Sequence, residues 1–354
     1  AVDGYLYGRV GEDHFVVIAD EATFNEEYLY ECRETLQNVL SDSVYNVRVC
    51  FGIYRTDNMN ESLSFMCDKA SFAVASIKDD THSFIAYYDD TMLEAAIKYK
   101  TIVDEFDDAI KAGEFKMYLQ PQISAKTRRL TGAEALVRRI KPDGTIISPI
   151  DFIPVYEKSG LISRLDRYIW EQAAAKLGEW KKAGINMSIS VNISPKDFYY
   201  IDIFNTFAGL IKKYDIEPSN LKIEITETTI MSDVPNLMGE LEELRKAGFT
   251  LEMDDFGSGY SSLNTLKDIN VDVLKVDMGF IKETKNVKKS RIILASVIKM
   301  AKELNLLIIT EGVETEQVDN LTKLGCDVFQ GYYFSKAIDV NEFEKRYLYR
   351  KKAG

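Results

Sequence analysis

Acidic and amide residues recur where strand-like runs end, and that placement points to chemistry. Glu134 lies in the run Leu130–Val137, Asn192 in Met187–Ile193 and Glu224 in Leu221–Thr226. Asp254-Asp255 follows Thr250–Met253, Lys275 lies in Val273–Val276, Glu311 follows Leu307–Thr310, and Gln330 is near the start of Val328–Phe334. Met187, Ile189, Val191 and Ile193 alternate with Ser188, Ser190 and Asn192, and Leu221, Ile223 and Ile225 with Lys222, Glu224 and Thr226. If these runs stand side by side in a barrel, the polar faces point inward and five carboxylates share a mouth with the amides Asn192 and Gln330. Like charges so gathered cannot all stay ionised without compensation. Two divalent cations and the Lys275 ammonium would balance them. Oxygen ligands favour Mg²⁺ or Mn²⁺, and a two-ion site suits phosphodiester hydrolysis. Each residue alone is weak evidence: a lone carboxylate is usually solvated surface, and Asp254-Asp255 before Phe256-Gly257 could be a turn or cap.

Composition removes other chemistries. The only two histidines, His14 and His82, exclude a Ser-His-Asp triad or a histidine-rich zinc site in the later three quarters. Cys32, Cys50, Cys67 and Cys326 form no CxxC pair and suggest a reducing, cytoplasmic setting. A net charge of −12 argues against DNA or RNA as a partner. No apolar run is long enough to span a membrane. The start, Ala1-Val2-Asp3-Gly4, has neither an initiator methionine nor a leader, so a piece of a longer, conceivably membrane-tethered protein is expected.

The elements needed to position the site are legible. From Glu114 onward, eight strand-like runs, starting with Phe115–Ile123, alternate with helical runs such as Ile203–Tyr214, Pro235–Ala247 and Lys289–Leu304. Asp151–Gly184 is long enough for two helices. The pattern predicts a (β/α)8 barrel, with a doubly wound open sheet as the alternative. Upstream, Tyr5-Leu6-Tyr7 and Phe15–Ile18 read as a hairpin, Val47–Tyr54 as a strand, and Glu26–Leu40 and Ser62–Ile77 as helices. Apolar residues from Met92 to Ile110 recur at three and four, predicting one amphipathic helix over Thr91–Ala112. The expected domains are 1–90, a connecting helix 91–113, and the barrel 114–354.

From about Glu114 to Tyr349 the sequence resembles the EAL family of cyclic di-GMP phosphodiesterases. The motifs are Leu119-Gln120-Pro121, Glu134-Ala135-Leu136-Val137-Arg138, Asp151-Phe152-Ile153-Pro154, Val191-Asn192-Ile193-Ser194 and Glu224-Ile225-Thr226-Glu227. Asp254-Asp255-Phe256-Gly257, Leu274-Lys275-Val276-Asp277, Glu311-Gly312-Val313-Glu314 and Gln330-Gly331-Tyr332 follow in order. The resemblance implies a TIM-type barrel whose first strand is antiparallel, and cleavage of cyclic di-GMP to linear pGpG. It implies Glu134, Asn192, Glu224 and Asp254 as ligands of one metal. Asp254 would bridge to a second, with Asp255 and Glu311 completing the pair directly or through water. Lys275 would hold and help activate the attacking water. Arg138 would meet a substrate phosphate, and Gln120, Glu314 and Gln330 would line the substrate site. Glu227 would brace the loop Phe256–Ser262, which in the family joins metal binding to dimerisation, so a homodimer is expected. Ca²⁺ should inhibit. Arg139 stands where Trp is common and Ala337 where Pro is common, and Arg139 leaves the substrate wall in question.

The first segment resembles the later half of a GGDEF domain, the family that makes cyclic di-GMP. Arg9-Val10-Gly11-Glu12-Asp13-His14-Phe15 occupies the place of Arg-x-Gly-Gly-Asp-Glu-Phe, and Phe51-Gly52-Ile53 and Cys67-Asp68-Lys69-Ala70 fit later elements. Glu12 replaces the second glycine and His14 the carboxylate, which implies a remnant α+β domain without cyclase activity. Three functions then compete: a phosphodiesterase, a barrel that binds cyclic di-GMP without cutting it, and a kinase suggested by Asp255-Phe256-Gly257. The kinase fails for want of a His-Arg-Asp loop and a G-x-G-x-x-G. The complete set of ligand residues and the lysine favours the enzyme over the binding module.

Overall fold

The computed structural model describes residues 5–11, 13–40, 48–56, 58, 60–78, 80, 82–232, 234, 236–256, 266–267, 269–278, 287–313 and 318–349. The chain divides into two compact units, Ala1–Ile102 and Val103–Gly354. In the first, the expected hairpin forms: β1 (Leu6–Arg9) pairs antiparallel with β2 (Phe15–Ile18). A helix Glu27–Leu40 follows, then β3 (Phe51–Ile53) paired in parallel with β4 (Ile85–Tyr87). The helix Leu63–Ser76 lies between those two in sequence and starts at Ser62, whose hydroxyl accepts from the Phe65 N–H. Lys69 on that helix donates to the Tyr54 hydroxyl at 2.8 Å and to Glu61 at 2.9 Å. Glu12 lies outside the described residues, and His14 is an exposed hairpin side chain beside Asp13.

The helix expected over Thr91–Ala112 is two helices, Asp90–Asp104 and Phe106–Lys111. Glu105 at the join keeps right-handed dihedrals, φ −74° and ψ −13°. Its carboxylate turns to Arg139, 2.7 Å away, while Phe106 and Ala109 enter the aromatic core with Phe115, Phe152 and Tyr156.

The second unit is the barrel. β5 (Phe115–Ser124) and β6 (Leu130–Ile140) form its longest pair. β7 (Ile146–Ile147) is a short addition to the edge of β6. β8 (Ile189–Ile193), β9 (Leu221–Thr226), β10 (Leu251–Phe256), β11 (Val273–Asp277), β12 (Leu307–Glu311) and β13 (Val328–Phe329) follow in order round the wall, and β14 (Ile338–Asp339) adds to β5. β6 and β8 to β13 pair in parallel, whereas β5 is antiparallel to both β6 and β13 and closes the ring. Closure excludes the open sheet. The two helices expected between the second and third barrel strands are Pro149–Ser159 and Ile162–Lys182.

β13 is shorter than the run Val328–Phe334. The chain turns at Gly331, whose φ is +154° and where a Cβ would stand 2.4 Å from the Val313 nitrogen. That close approach seats Gln330 at the mouth, its carbonyl accepting from the Val313 N–H at 3.2 Å. Arg139 faces away from the lumen: its guanidinium is 2.7 Å from Glu105 and 2.9 Å from Glu114, and it is 2% exposed. It is part of the joint between Phe106–Lys111 and β6, so the substrate wall does not depend on it.

Candidate active site

Period-two alternation places the site residues in one tier. Glu134, Asn192, Glu224, Asp254, Lys275, Glu311 and Gln330 come from β6, β8, β9, β10, β11, β12 and the end of β13, and Gln120 comes from the antiparallel β5. Two residues earlier on the parallel strands lies a floor tier. On β11 to β13 it is apolar, Val273, Ile309 and Val328, which cluster and are buried. On β8 to β10 it is polar. Ser190 donates to Glu252 at 2.8 Å and Lys222 donates to its other oxygen at 2.9 Å. Burial opposes ionisation of Glu252, but the Lys222 ammonium outweighs it and holds the carboxyl below its ordinary range.

Lys275 is the centre of the upper tier and is fully buried. Its Nζ is 2.7 Å from Glu311, 3.0 Å from Glu224, 3.2 Å from Asp254 and 3.4 Å from Glu134. Burial alone would strip its proton, yet the surrounding carboxylates, led by Glu134 and Glu224, hold its pKa well above the usual value. The carboxylates answer in the opposite sense. Burial, reinforced by Glu134, raises Glu224 well above the carboxylate range, and burial pushes Glu311 up to about 8. One ammonium does not neutralise this many buried acids.

The surroundings fix the cluster. Asn192 donates to Glu134 at 3.3 Å, and the Trp170 indole N–H holds the Asn192 carbonyl at 2.9 Å. Gln330 donates to both Glu134 and Gln120, and its own carbonyl oxygen accepts from Gln122 at 3.2 Å. Asp255 sits at the rim beyond a β-bulge between Met253 and Phe256, with φ +56°, and its N–H bonds the Asp254 carboxylate at 2.9 Å. The bulge breaks the alternation that would send two consecutive aspartates to opposite faces. Burial, then Asp254, raises its pKa.

Arg138 is not in the carboxylate cluster. With Gln120 it lines an adjoining cavity of about 300 Å³. Glu227 is buried at the start of the helix Glu227–Met231, directly after β9. Glu314 and residues 257–265, hence most of the loop Phe256–Ser262, lie outside the described residues. Glu252, Lys222 and Ser190 were not expected to matter to the site. Counting back two from Asp254, Glu224 and Asn192 would have found all three.

Among the described residues no three His, Cys, Asp or Glu side chains are grouped to hold a metal ion as they stand, because the acids are arrayed around the ammonium. The donor chemistry nevertheless suits a hard divalent cation. The acids and amide offer only oxygen toward it, and neither oxygen of the buried Glu224 meets an aligned hydrogen-bond donor among the described residues.

Residues 103–337 match the EAL domain family, and the chain belongs to that family. It is 31% identical over 350 residues to signaling protein YkoW of Bacillus subtilis, a match covering 97% of this chain and 44% of that protein. It is 29% identical over 342 residues to MucR of Pseudomonas aeruginosa, a bifunctional diguanylate cyclase/cyclic di-GMP phosphodiesterase, covering 94% and 50%. The chain thus spans about half the length of the curated relatives it matches. The solved structure described as "PaMucR Phosphodiesterase, c-di-GMP complex" superposes with a TM-score of 0.64 at 32% identity, covering 69% of this chain and 99% of that one. No helix among the described residues is long and apolar enough to cross a membrane.

Proposed function

We propose that this chain is a metal-dependent phosphodiesterase that cleaves cyclic di-GMP to linear pGpG in bacterial second-messenger signalling. The observation that carries the reading is the complete tier of acids, amide and lysine converging in a barrel of the EAL family. Glu134, Asn192, Glu224, Asp254, Asp255 and Glu311 would hold two ions, Mg²⁺ or Mn²⁺, with Ca²⁺ inhibitory. When bound, such ions supply an activated water and charge stabilisation for the leaving oxygen. Water adds to one phosphorus, the P–O bond to the 3′ oxygen breaks, and that oxygen leaves as a hydroxyl.

The protein's own groups set the geometry. Lys275, held among the acids, would donate hydrogen bonds to the attacking oxygen or phosphate. Gln330 and Asn192 orient Glu134. Arg138 and Gln120, with Glu314, receive the substrate. Residues 1–90 serve as a degenerate GGDEF remnant joined by 91–113 to the barrel 114–354, in a homodimer whose loop 256–262 is braced by Glu227. The setting is cytoplasmic, with any membrane tether lying in other parts of the full-length protein, and neither DNA nor RNA is a partner.

The test is incubation of the purified chain with cyclic di-GMP and Mg²⁺ or Mn²⁺, followed by chromatography. Formation of pGpG is the expected result. Binding without product would make the barrel a receptor, and neither binding nor product would refute the reading.

A further inference from the structure

Ser190, Lys222 and Glu252 stand two residues before Asn192, Glu224 and Asp254 on β8, β9 and β10. Each therefore shares a face with, and lies beneath, a residue read as a ligand of one ion. Glu252 and Ser190 are fully buried. One oxygen of Glu252 accepts from the Ser190 hydroxyl at 2.8 Å and the other from the Lys222 ammonium at 2.9 Å. The cation matches the charge of the buried carboxylate, and the hydroxyl fixes its orientation. A single side chain thus ties three strands together under three ligands.

The Ser190 bond does what the backbone ladder does not. β9 lies between β8 and β10 in the sheet, with Ser190 opposite Lys222 and Glu224 opposite Glu252. Ladders hold neighbouring strands about 5 Å apart. They leave the angle at which β8 and β10 fold about β9 free to vary, because the rotation between adjacent strands spans a wide range. The Ser190–Glu252 bond reaches past β9 and sets that angle. Asn192 and Asp254 stand above the two ends of this chord, so their separation follows it. Beneath Lys275 and Glu311 the floor is Val273, Ile309 and Val328, whose packing has no direction of its own.

We propose that Ser190, Lys222 and Glu252 form a clamp that fixes the spacing of Asn192, Glu224 and Asp254, and that this spacing selects Mg²⁺ over Ca²⁺. This rests on the metal-dependent phosphodiesterase reading. The three are positioning residues that act through the ligands above them. Mg²⁺ demands near-ideal octahedral geometry at ~2.0–2.1 Å, whereas Ca²⁺ accepts longer and more variable bonds. A wall that flexes therefore weakens binding of the smaller ion first. A purely electrostatic role for Glu252 would weaken both alike.

The experiment compares the parent chain with Ser190→Ala and with the double variant Lys222→Met/Glu252→Met. Mn²⁺ binding without substrate is read from the electron paramagnetic resonance of the free ion, and Mg²⁺ and Ca²⁺ constants from its displacement. Ser190→Ala removes the chord and no charge. The double variant removes the pair at constant net charge, and apolar replacement of a buried ion pair keeps the fold. Melting temperatures in chelator check this. The Mg²⁺ dissociation constant should rise about threefold in Ser190→Ala and about tenfold in the double variant, the low end for lost support behind a metal ligand. The Ca²⁺ constant should move less than about twofold in both. At saturating Mg²⁺, KM for cyclic di-GMP should stay within about twofold, while the Mg²⁺ concentration for half-maximal turnover rises. An unchanged Mg²⁺ constant in either variant, or equal losses for Mg²⁺ and Ca²⁺, overturns the clamp while parent turnover leaves the phosphodiesterase reading intact. A parent that binds no Mn²⁺ and cleaves no cyclic di-GMP removes both.

Discussion

Lys275→Met isolates what the central charge does. Methionine keeps most of the stem volume, so the change removes an ammonium from the middle of four carboxylates lying 2.7 to 3.4 Å away. Removing one partner of a buried ion pair costs about 3–5 kcal/mol, because the remaining charge is left uncompensated. Here some of that cost returns as the acids take up protons, so the lower end is expected. For a unit of this size each kcal/mol moves the melting temperature by roughly 2–4 °C, which gives a fall on the order of 10 °C in chelator. The same variant should gain more from Mg²⁺ or Mn²⁺ than the parent does, because the cations then replace the missing charge. Turnover should nevertheless fall at least ~100-fold, in line with loss of a preorganised donor. Thermal melts in chelator and in Mg²⁺, beside product chromatography, measure all three effects. Equal melting temperatures for variant and parent in chelator would show that the lysine does not compensate the acids. Turnover within a few-fold of the parent would remove it from the mechanism.

Glu134→Gln and Asp254→Asn should each lower turnover by ~1000-fold or more while cyclic di-GMP still binds through the neighbouring cavity, which paired calorimetry and product assays would check. Ca²⁺ should inhibit the Mg²⁺ reaction, because its longer bonds and looser geometry do not match a two-ion site, and equal rates in the two ions would contradict that. Behind the site, burial with Asp197 nearby holds Asp166 well above the carboxylate range, and burial pushes Asp197 up to about 6. Raised folded values mean stability that is present below the ordinary carboxylate range and lost as pH climbs through the folded values, about 6 for Asp197. Asp166→Asn should therefore raise the melting temperature near pH 8 and change it little near pH 4, and an equal gain at both would sink the argument.

The alternation in Met187–Ile193 and Leu221–Thr226 made the inward tier readable, since a two-residue period fixes which side chains share a face. The helix Ile203–Tyr214 was readable end to end because Asp202 caps it, bonding the Asn205 N–H at 3.0 Å. Three features were not readable. The turn at Gly331 depends on a backbone approach to Val313 from another strand. The bulge at Asp255 is an αL residue in an otherwise strand-like run, and no local pattern announces it. The break at Glu105 follows from Arg139 and Glu114, which are distant in sequence or on the next element. Each is a case of tertiary contact overriding local propensity. Glu252 was not readable for another reason: Thr250–Met253 is too short a run to display the alternation that would mark its inward acid.

The asymmetry of the floor explains why the centre can keep an ammonium at all. Beneath Lys275 and Glu311 lie Val273 and Ile309, packed with Val328, so that side of the lumen is dry. A dry surrounding raises the cost of burying the charge, but it strengthens attraction to every nearby carboxylate as well. With four acids within reach the attraction wins, as the raised Lys275 pKa shows. Beneath Glu224 and Asn192 lie Glu252, Lys222 and Ser190, whose charges and donors satisfy one another and leave little for the tier above. Glu224 is thus buried beside a carboxylate whose own cation is already engaged, and it shares the Lys275 ammonium, 3.0 Å away, with three other acids. Burial outweighs that shared charge and raises its pKa. The lysine side of the barrel supplies a fixed positive donor, and the Glu224 side supplies an acid that this one cation only partly compensates. A site built to accept a divalent cation and an anionic phosphate together requires that division of labour.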